Sequence, residues 1–203
     1  MMRLHAEALA CQRGGRTVFR DLSFQAEAGE ALQVVGRNGA GKSSLLRMIA
    51  GLVPVAAGEI RLDGGDPEAS IGEQAHYCGH QDAFKPALTV KENLAFWTAF
   101  LGGPAAGDGL LAALARLGLD HLADLPAGYL SAGQRRRLAL ARLVSIARPL
   151  WLLDEPTAAL DQASQQVLAT LMAAHLASGG LILAATHGPL GIAARELVVG
   201  PAP

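Results

Sequence analysis

The chain has 203 residues, the size of one large domain. Its 51% hydrophobic and 17% charged residues exclude a disordered protein, and a net charge of −1 provides no basic field to attract nucleic acid. Cys11 and Cys78 lie far apart without CxxC spacing, which predicts reduced, buried thiols and excludes a disulfide framework or a zinc site.

In chain order, apolar or alternating runs predict strands at 4–9, 18–25, 31–35, 59–62, 75–78, 150–153, 181–185 and 196–199. Helical patterns follow Lys42 and cover 89–101, 109–117, 131–145 and 162–177. A strand-rich beginning, a helical middle and an alternating remainder predict an α/β fold with a parallel sheet. We expect one domain over residues 1–203, with a helical subdomain at about 84–140.

The sequence offers neither a spanning segment nor a secretion signal. Its most apolar stretches are far shorter than the roughly 18 residues that a membrane helix needs. His5 and Glu7 stand where a signal peptide would have its apolar core. We therefore expect the chain to stay in the cytosol.

A phosphate-binding motif, G-x-x-x-x-G-K-[ST], lies between the predicted strand 31–35 and the first predicted helix. Glycines allow the loop to turn its N–H groups toward phosphate, and the helix N-terminus adds positive dipole. Lys42 would contact the β- and γ-phosphates and Ser43 would ligate Mg²⁺. The alternative is a glycine-rich loop with a chance lysine, but the full match in this context favours phosphate binding. The motif and its extension are Gly36, Arg37, Asn38, Gly39, Ala40, Gly41, Lys42, Ser43 and Ser44.

Two acids end the apolar run 150–153, which is typical of a buried parallel strand. Such sheets bind ligands at the carboxyl ends of their strands. Asp154 would hold the Mg²⁺ shell and Glu155 would polarise the attacking water. Taken alone, the pair is equally compatible with acids that only solubilise a strand end. The phosphate motif favours the catalytic interpretation.

The segment Leu130-Ser131-Ala132-Gly133-Gln134 resembles the ABC signature LSGGQ, with Ala132 in a glycine position. Gln81 after a strand, Ala159-Leu160-Asp161 after Glu155, and His187 after the run 181–185 accompany it in ABC order. The chain thus resembles an ABC-type ATPase over essentially its whole length. The resemblance implies a P-loop fold of the ABC type: a RecA-like core, an N-terminal antiparallel β region and a helical subdomain.

The resemblance also implies residue roles within one chain. Asp154 would be the Walker B metal residue and Glu155 the catalytic base. Gln81 would be the Q-loop sensor, which also reaches the metal, and His187 the switch histidine. For His187 alone, an ordinary loop histidine would be the simpler interpretation.

The same resemblance implies that a second copy of the chain completes each ATP site. Ser131 and Gly133 would contact the γ-phosphate held by the other subunit, with Gln134 in the same nucleotide-binding set. Asp161 would lie at the dimer interface. Ser131 is also expected to cap the following helix, whose N-terminus offers an anion site.

One expected feature is missing near the start of the chain. No aromatic residue occupies the place where ABC proteins stack adenine, and that place falls near Arg13. A guanidinium can stack on a purine, so Arg13 is a candidate adenine contact. A solvated loop arginine is an equally open alternative.

The segment 76–94, with Gly79-His80-Gln81 and Glu92-Asn93-Leu94, resembles the ATP-binding subunit of the bacterial cytochrome c maturation system. This resemblance implies an ATPase coupled to transport for haem export, at the cytoplasmic face of the inner membrane. Its partners would be an integral membrane permease and haem-handling subunits. The alternatives are an ABC exporter for another cargo and a soluble, non-transport ABC ATPase.

Three side chains in that segment could suggest haem ligation, which we do not expect. His76, Cys78 and His80 alternate on or near a strand, and an ATPase need not hold the cargo. The aromatic cluster 96, 97 and 100 is expected to pack in the core or to line a groove for a permease helix. The arginine run 135–137 predicts a solvated helix face with one or two ion pairs.

Overall fold

The computed structural model describes residues 1–104 and 106–200, and contains the predicted strands and helices. The strands are β1 (Arg3–Arg13), β2 (Arg16–Glu27), β3 (Ala31–Val35), β4 (Ala57–Asp63), β5 (Ala75–Cys78), β6 (Leu150–Asp154), β7 (Leu181–Ala185) and β8 (Arg195–Val198). The helices are α1 (Lys42–Ile49), α2 (Val90–Phe100), α3 (Asp108–Arg116), α4 (Ala132–Ser145) and α5 (Gln162–Ala177).

Two sheets share the strands. Strands β2, β1 and β4 form an antiparallel sheet in that order. The other five form a parallel sheet in the order β5-β6-β7-β3-β8. The predicted α/β fold, with an antiparallel region at the N-terminus, is thereby confirmed.

The central strands of the parallel sheet are apolar because both of their faces are covered. Every residue of β6 and of β7 is buried. On one face, Leu150 and Leu152 belong to the same core cluster as Leu45 and Leu46 of α1. This packing fixes α1 against the sheet, so that its N-terminus lies at the edge where β3, β6 and β7 end.

The chain divides into two compact units. Unit 1 comprises Met1–Gly79, Arg148–Pro156 and the chain from Leu171 onward, and it contains both sheets. Unit 2 comprises His80–Ala147 and Thr157–Thr170, and it contains α2, α3 and α4. The predicted helical subdomain at about 84–140 lies within the first segment of unit 2.

Capping explains where the helices of unit 2 begin. Thr89 and Glu92 form a capping box at α2, and Ser131 and Gln134 form another at α4. Each box satisfies two backbone N–H groups that the first helical turn leaves unpaired. The expectation that Ser131 caps its helix is therefore confirmed.

Two further expectations concern thiols and membrane spans. Cys11 and Cys78 are buried free thiols, as predicted. Within the described ranges, every helix is too short or too polar to traverse a bilayer.

Candidate functional site

The phosphate motif forms the connection between β3 and α1. Gly39 and Gly41 have φ values of +82° and +104°, which side chains rarely adopt. A Cβ at Gly36 would overlap the backbone oxygen of Val199, and one at Gly41 would lie 2.7 Å from Val18 Cγ1. The glycines are therefore required by backbone angle and by close packing, and they shape a loop that opens directly onto the N-terminus of α1.

Lys42 is the first residue of α1 and is only 9% exposed. Its ammonium donates to the carbonyl oxygens of Gly36 at 2.8 Å and Arg37 at 3.3 Å. Its Nζ also lies 3.3 Å from His187 Nε2. The loop thus curves around a sheltered positive charge at a helix N-terminus, an arrangement suited to a polyphosphate.

Ser43 and Asp154 supply the oxygen atoms that a magnesium ion would use. The Ser43 hydroxyl donates to Asp154 Oδ1 at 3.0 Å, and Asp154 is 3% exposed. A hydroxyl and a carboxylate fit Mg²⁺, which takes few protein ligands and keeps waters and substrate phosphates. Nowhere in residues 1–104 and 106–200 do three or more His, Cys, Asp or Glu side chains gather as a metal cage. The Ser43 hydroxyl and the Asp154 carboxylate fit a Mg²⁺ ion whose other ligands are waters and phosphate oxygens.

Glu155 stands one residue beyond β6, with its backbone turned to a φ of +49°. Its N–H donates to Ala185 O at 2.7 Å, and its Oε2 accepts a hydrogen bond from the Thr186 hydroxyl at 3.2 Å. Its Oε1 lies 4.0 Å from His187 Nε2. The glutamate side chain is 29% exposed, so its carboxylate is oriented by the end of β7 and still open to water.

Unit 1 therefore brings together one set of predicted residues: Lys42, Ser43, Asp154, Glu155 and His187. They converge because β6 and β7 are hydrogen-bonded neighbours whose ends align, Asp154 opposite Ala185. β7 is in turn paired with β3, which leads into the phosphate loop. Their chemical roles stay predictions, whereas their convergence is a structural result.

Two residues near this cluster escaped sequence reasoning. Thr186 holds Glu155, and Arg47 donates from Nε to the Tyr77 hydroxyl at 3.0 Å. The hydrogen bond with Tyr77 is the main cause of a raised Arg47 pKa. Arg47 could have been found from its spacing, since it follows Ser43 by one helical turn on α1. For Thr186, the only signal in the sequence was its position next to His187.

The other predicted nucleotide contacts, apart from Arg13, lie in unit 2. Gln81 is exposed, three residues after β5 ends. The Ser131 hydroxyl accepts from Gln134 N–H at 3.2 Å, and Gln134 Oε1 accepts from Ser131 N–H at 2.8 Å. A Cβ at Gly133 would lie 3.0 Å from Ala159 O. Gln134 thus orients Ser131, which is exposed at the start of α4.

Asp161 has a local structural role. Its Oδ1 accepts the Ser164 N–H at 2.8 Å, in the first turn of α5. Hydrogen bonds from Ser164 hold the pKa of Asp161 below its ordinary value. Its place at a dimer interface stays a prediction. Arg13, at the exposed end of β1, likewise stays only a candidate for adenine.

The expectation for the arginine run is wrong at one position. Arg136 is 3% exposed and forms an ion pair with Asp82, in which Arg136 Nη1 and Asp82 Oδ1 are 3.1 Å apart. Arg137 donates to Leu117 O at 2.8 Å, and Arg135 donates to Leu130 O at 3.0 Å. The predicted ion pair exists, but the run binds neighbouring elements of unit 2 and is not a freely solvated face.

Comparison with known families identifies a match to the ABC transporter family over residues 19–158. Curated cytochrome c biogenesis ATP-binding export proteins CcmA are similar over nearly the whole chain. The protein from Nitrobacter winogradskyi is 62% identical over 99% of this chain and 100% of its own length. The protein from Mesorhizobium japonicum is 55% identical over 99% of this chain and 100% of its own length.

Solved structures show the same fold. An ATP-binding subunit of an ABC transporter superposes with a TM-score of 0.83 at 22% identity, over 97% of this chain and 85% of that one. A bacterial Atm1-family ABC exporter with ATP bound gives a TM-score of 0.81 at 25% identity, over 97% of this chain and 36% of that one.

Proposed function

We propose a function for this chain, which belongs to the ABC transporter family and, within it, to the CcmA group of cytochrome c biogenesis ATP-binding export proteins. The protein is an ATPase that serves as the ATP-binding subunit of a membrane export complex for cytochrome c biogenesis, with haem as the proposed cargo. The observation that carries this is identity of 62% to such a protein over 99% of the chain.

We propose the following roles at the site in unit 1. The loop N–H groups and Lys42 bind the phosphates of ATP, and Ser43 and Asp154 hold the Mg²⁺ that accompanies it. The bound metal would neutralise charge on the phosphates. Glu155, oriented by Thr186, accepts a hydrogen bond from the attacking water and draws on its proton. These residues act mainly by position and charge, as phosphoryl transfer requires.

His187 is proposed to report on the γ-phosphate. Its Nε2 lies between the Lys42 ammonium, 3.3 Å away, and a Glu155 oxygen, 4.0 Å away. An imidazole with its proton on Nε2 would donate to a phosphate oxygen of bound ATP, while Thr186 holds the glutamate. This is the switch role implied by its position after β7.

We infer that ATP hydrolysis requires two copies of the chain. Ser131 and Gly133 would cover the γ-phosphate bound by the second copy, and the exposed, capped start of α4 suits such an anion contact. Each subunit contributes the same surface to the interface, which is the arrangement of a C2 dimer. Asp161 would lie beside that interface.

The proposed partners are an integral membrane permease and haem-handling subunits, reached from the cytoplasmic face of the inner membrane. We propose that this chain does not itself bind haem. His76 and Cys78 are each 1% exposed in the core, which supports this proposal because a haem iron needs an accessible ligand. An exporter with another cargo is the alternative, and absorbance of haem in the purified complex would separate the two.

A membrane pull-down tests the assignment. Tagged Glu155→Gln protein, which should bind ATP without cleaving it, is recovered from membranes with and without ATP. We expect integral membrane proteins to be recovered with the tagged protein, and we expect a trapped dimer only when ATP is present. Lys42→Met, which lacks the phosphate-binding charge, is the matched control and should give no trapped dimer. A lone cytosolic monomer from the Glu155→Gln protein would contradict the proposal.

Arg13 is proposed to stack on adenine. Its exposed position on unit 1 leaves the guanidinium available. Arg13→Ala should weaken ATP binding by about twofold to fivefold, which corresponds to the roughly 0.5–1 kcal/mol of an exposed cation–π contact. Arg3→Ala, an exposed arginine ion-paired to Glu27, is the control. Unchanged affinity in Arg13→Ala would remove adenine stacking from the proposal.

A further inference from the structure

A single polar residue interrupts the apolar strand β3. Gln33 is half-buried at the middle of Ala31–Val35, whose other four residues are apolar, and β3 lies between β7 and β8 in the parallel sheet. A polar side chain is costly inside such a sheet unless it forms a hydrogen bond. The Gln33 amide donates from Nε2 to the carbonyl oxygen of Gly188 at 3.2 Å. A residue placed against the local pattern is often retained for function.

Gly188 belongs to the bend that follows β7. Gln33 pairs with Ala184 in the register of β3 and β7, and an extended chain would carry Gly188 about 13 Å beyond that pair. The hydrogen bond from Gln33 shows instead that the chain turns back toward β3, through a bend at His187 and Gly188. The Gln33 amide therefore holds the bend that contains His187.

The same glycine is held at its other polar group by Thr186. The Gly188 N–H donates to Thr186 Oγ1 at 3.1 Å. Thr186 is 2% exposed, and its hydroxyl donates to Glu155 Oε2 at 3.2 Å. A hydroxyl has one hydrogen and the Gly188 N–H can only donate, so the hydrogen of Thr186 is directed to Glu155. Three hydrogen bonds, all within unit 1, thus connect Gln33 of β3 to the Glu155 carboxylate.

We propose that Gln33 is a positioning residue for ATP hydrolysis. It acts by fixing Gly188, which in turn keeps the Thr186 hydroxyl against Glu155 and sets the place of the His187 imidazole. If the bend moved, the carboxylate proposed to orient the water and the imidazole proposed to contact the γ-phosphate would both lose their alignment. This inference rests on the proposed function, and it adds to it a residue of the strand that leads into the phosphate loop.

Replacing Gln33 by methionine tests the proposal, because methionine has nearly the length of glutamine and no N–H group. Gln25→Met is the matched control, since it makes the same change at an exposed residue of β2. The kcat and KM for ATP are measured in the membrane complex. The affinity for a fluorescent ATP analogue and the Tm are measured on the purified full chain.

In Gln33→Met we expect kcat to fall about tenfold while KM and analogue affinity stay at their parent values. The phosphate loop is unchanged, whereas a displacement of 1 Å at the reacting groups can cost about 100-fold. The Tm should stay within about 4 °C of the parent value, the effect of one hydrogen bond. Gln33→Glu keeps the shape of the side chain and also lacks the N–H donor, so it should give the same division between kcat and KM. Gln25→Met should change none of these quantities.

A measurement without nucleotide distinguishes a positioning role from a general defect. The chain contains six histidines, and the ring signal that is missing from the NMR spectrum of ¹³C-histidine-labelled His187→Ala identifies His187. In Gln33→Met this signal should shift or broaden, because the bend is no longer fixed. The signal of His76, which is 1% exposed within β5, should stay at its parent position. Gln25→Met should leave the His187 signal unchanged.

The inference is overturned if Gln33→Met has either the parent kcat or the parent His187 signal. It is equally overturned if analogue affinity falls as much as kcat, as a general structural defect would cause. Failure of the proposed function gives a different result: the complex with the parent chain does not hydrolyse ATP, or His187→Ala hydrolyses it at the full rate.

Discussion

Replacing Gly41 by alanine tests whether the phosphate loop is built as tightly as the structure indicates. Gly41 precedes Lys42 and has a φ of +104°. An added Cβ would lie 2.7 Å from Val18 Cγ1 and 2.8 Å from Phe19 Cδ1. Carbon atoms pack at about 3.5–4.0 Å, so the new methyl is too close by about 1 Å. Phe19 is 1% exposed and cannot turn toward solvent.

The expected cost follows from these two effects. A side chain at left-handed φ costs about 1–2 kcal/mol, and one extra methyl in a packed core costs about 1–3 kcal/mol. For a chain of this size each kcal/mol lowers Tm by about 2–4 °C, so Gly41→Ala should lower it by roughly 10 °C. Gly39→Ala is the matched control, because its φ is +82° and no atom lies within 4 Å of the added methyl. It should lose only roughly 3 °C, from the strain alone.

Thermal unfolding without nucleotide measures the stability difference, and ATP turnover by the membrane complex measures the effect on catalysis. If the loop shifts by about 1 Å to admit the methyl, Lys42 shifts with it, and turnover should fall about 100-fold. Equal losses of Tm in Gly41→Ala and Gly39→Ala would refute the argument, since both glycines have positive φ and only Gly41 has close neighbours.

Three further predictions concern strain, metal and pH. Ala159 has a φ of +61°, so Ala159→Gly should raise the free energy of unfolding by about 0.5–1 kcal/mol. Ala112→Gly within α3 is the control and should lower it by about 1 kcal/mol. Urea unfolding measures both changes. Ser43→Ala should raise the Mg²⁺ concentration needed for ATP hydrolysis by about tenfold, whereas Ser43→Thr, which keeps the hydroxyl, should not. The same Mg²⁺ dependence in both variants would contradict the proposal that Ser43 binds Mg²⁺. Burial lowers the pKa of His175, whose ring stacks on Trp151 with the ring centroids 4.0 Å apart. The contribution of His175 to the free energy of unfolding should therefore be full above the pKa of an unfolded histidine, about 6.5, and decline as pH falls toward the lower pKa of the folded protein. His175→Phe should remove that decline, and an unchanged pH profile would exclude His175 as its cause.

Strands and helices with a single clear pattern were predictable almost to the residue. The strands β3, β5 and β7 match their predicted bounds because buried parallel strands are short apolar runs between turns. The hairpin strands β1 and β2 are longer than predicted. Their register shifts near Ala8 and Asp21, which have φ values of +47° and +55°, and these irregularities break the alternation that identifies a strand.

At the site, too, residues in a contiguous pattern were predictable, whereas contacts between residues far apart in the sequence were not. A phosphate loop is a contiguous motif, so its residues could be named in advance and the structure places them together. The burial of Arg136 could not be foreseen, because its partner Asp82 lies 54 positions away and helical periodicity contains no information about it. A run of three arginines is usually solvated, and only the packing of unit 2 shows which one is not.

The adjacent acids Asp154 and Glu155 show how the backbone directs two neighbouring carboxylates to different partners. Asp154 is still in the extended strand and directs its carboxylate to the Ser43 hydroxyl. One residue later the backbone reaches a φ of +49°, and the Glu155 carboxylate meets Thr186 and His187 instead. Such a conformation costs about 1–3 kcal/mol and persists only where its surroundings enforce it, here the 2.7 Å hydrogen bond from Glu155 N–H to β7. This turn directs the Glu155 carboxylate to Thr186 and away from the Ser43 hydroxyl that Asp154 contacts, which is the separation that the proposed metal-binding and water-orienting roles require.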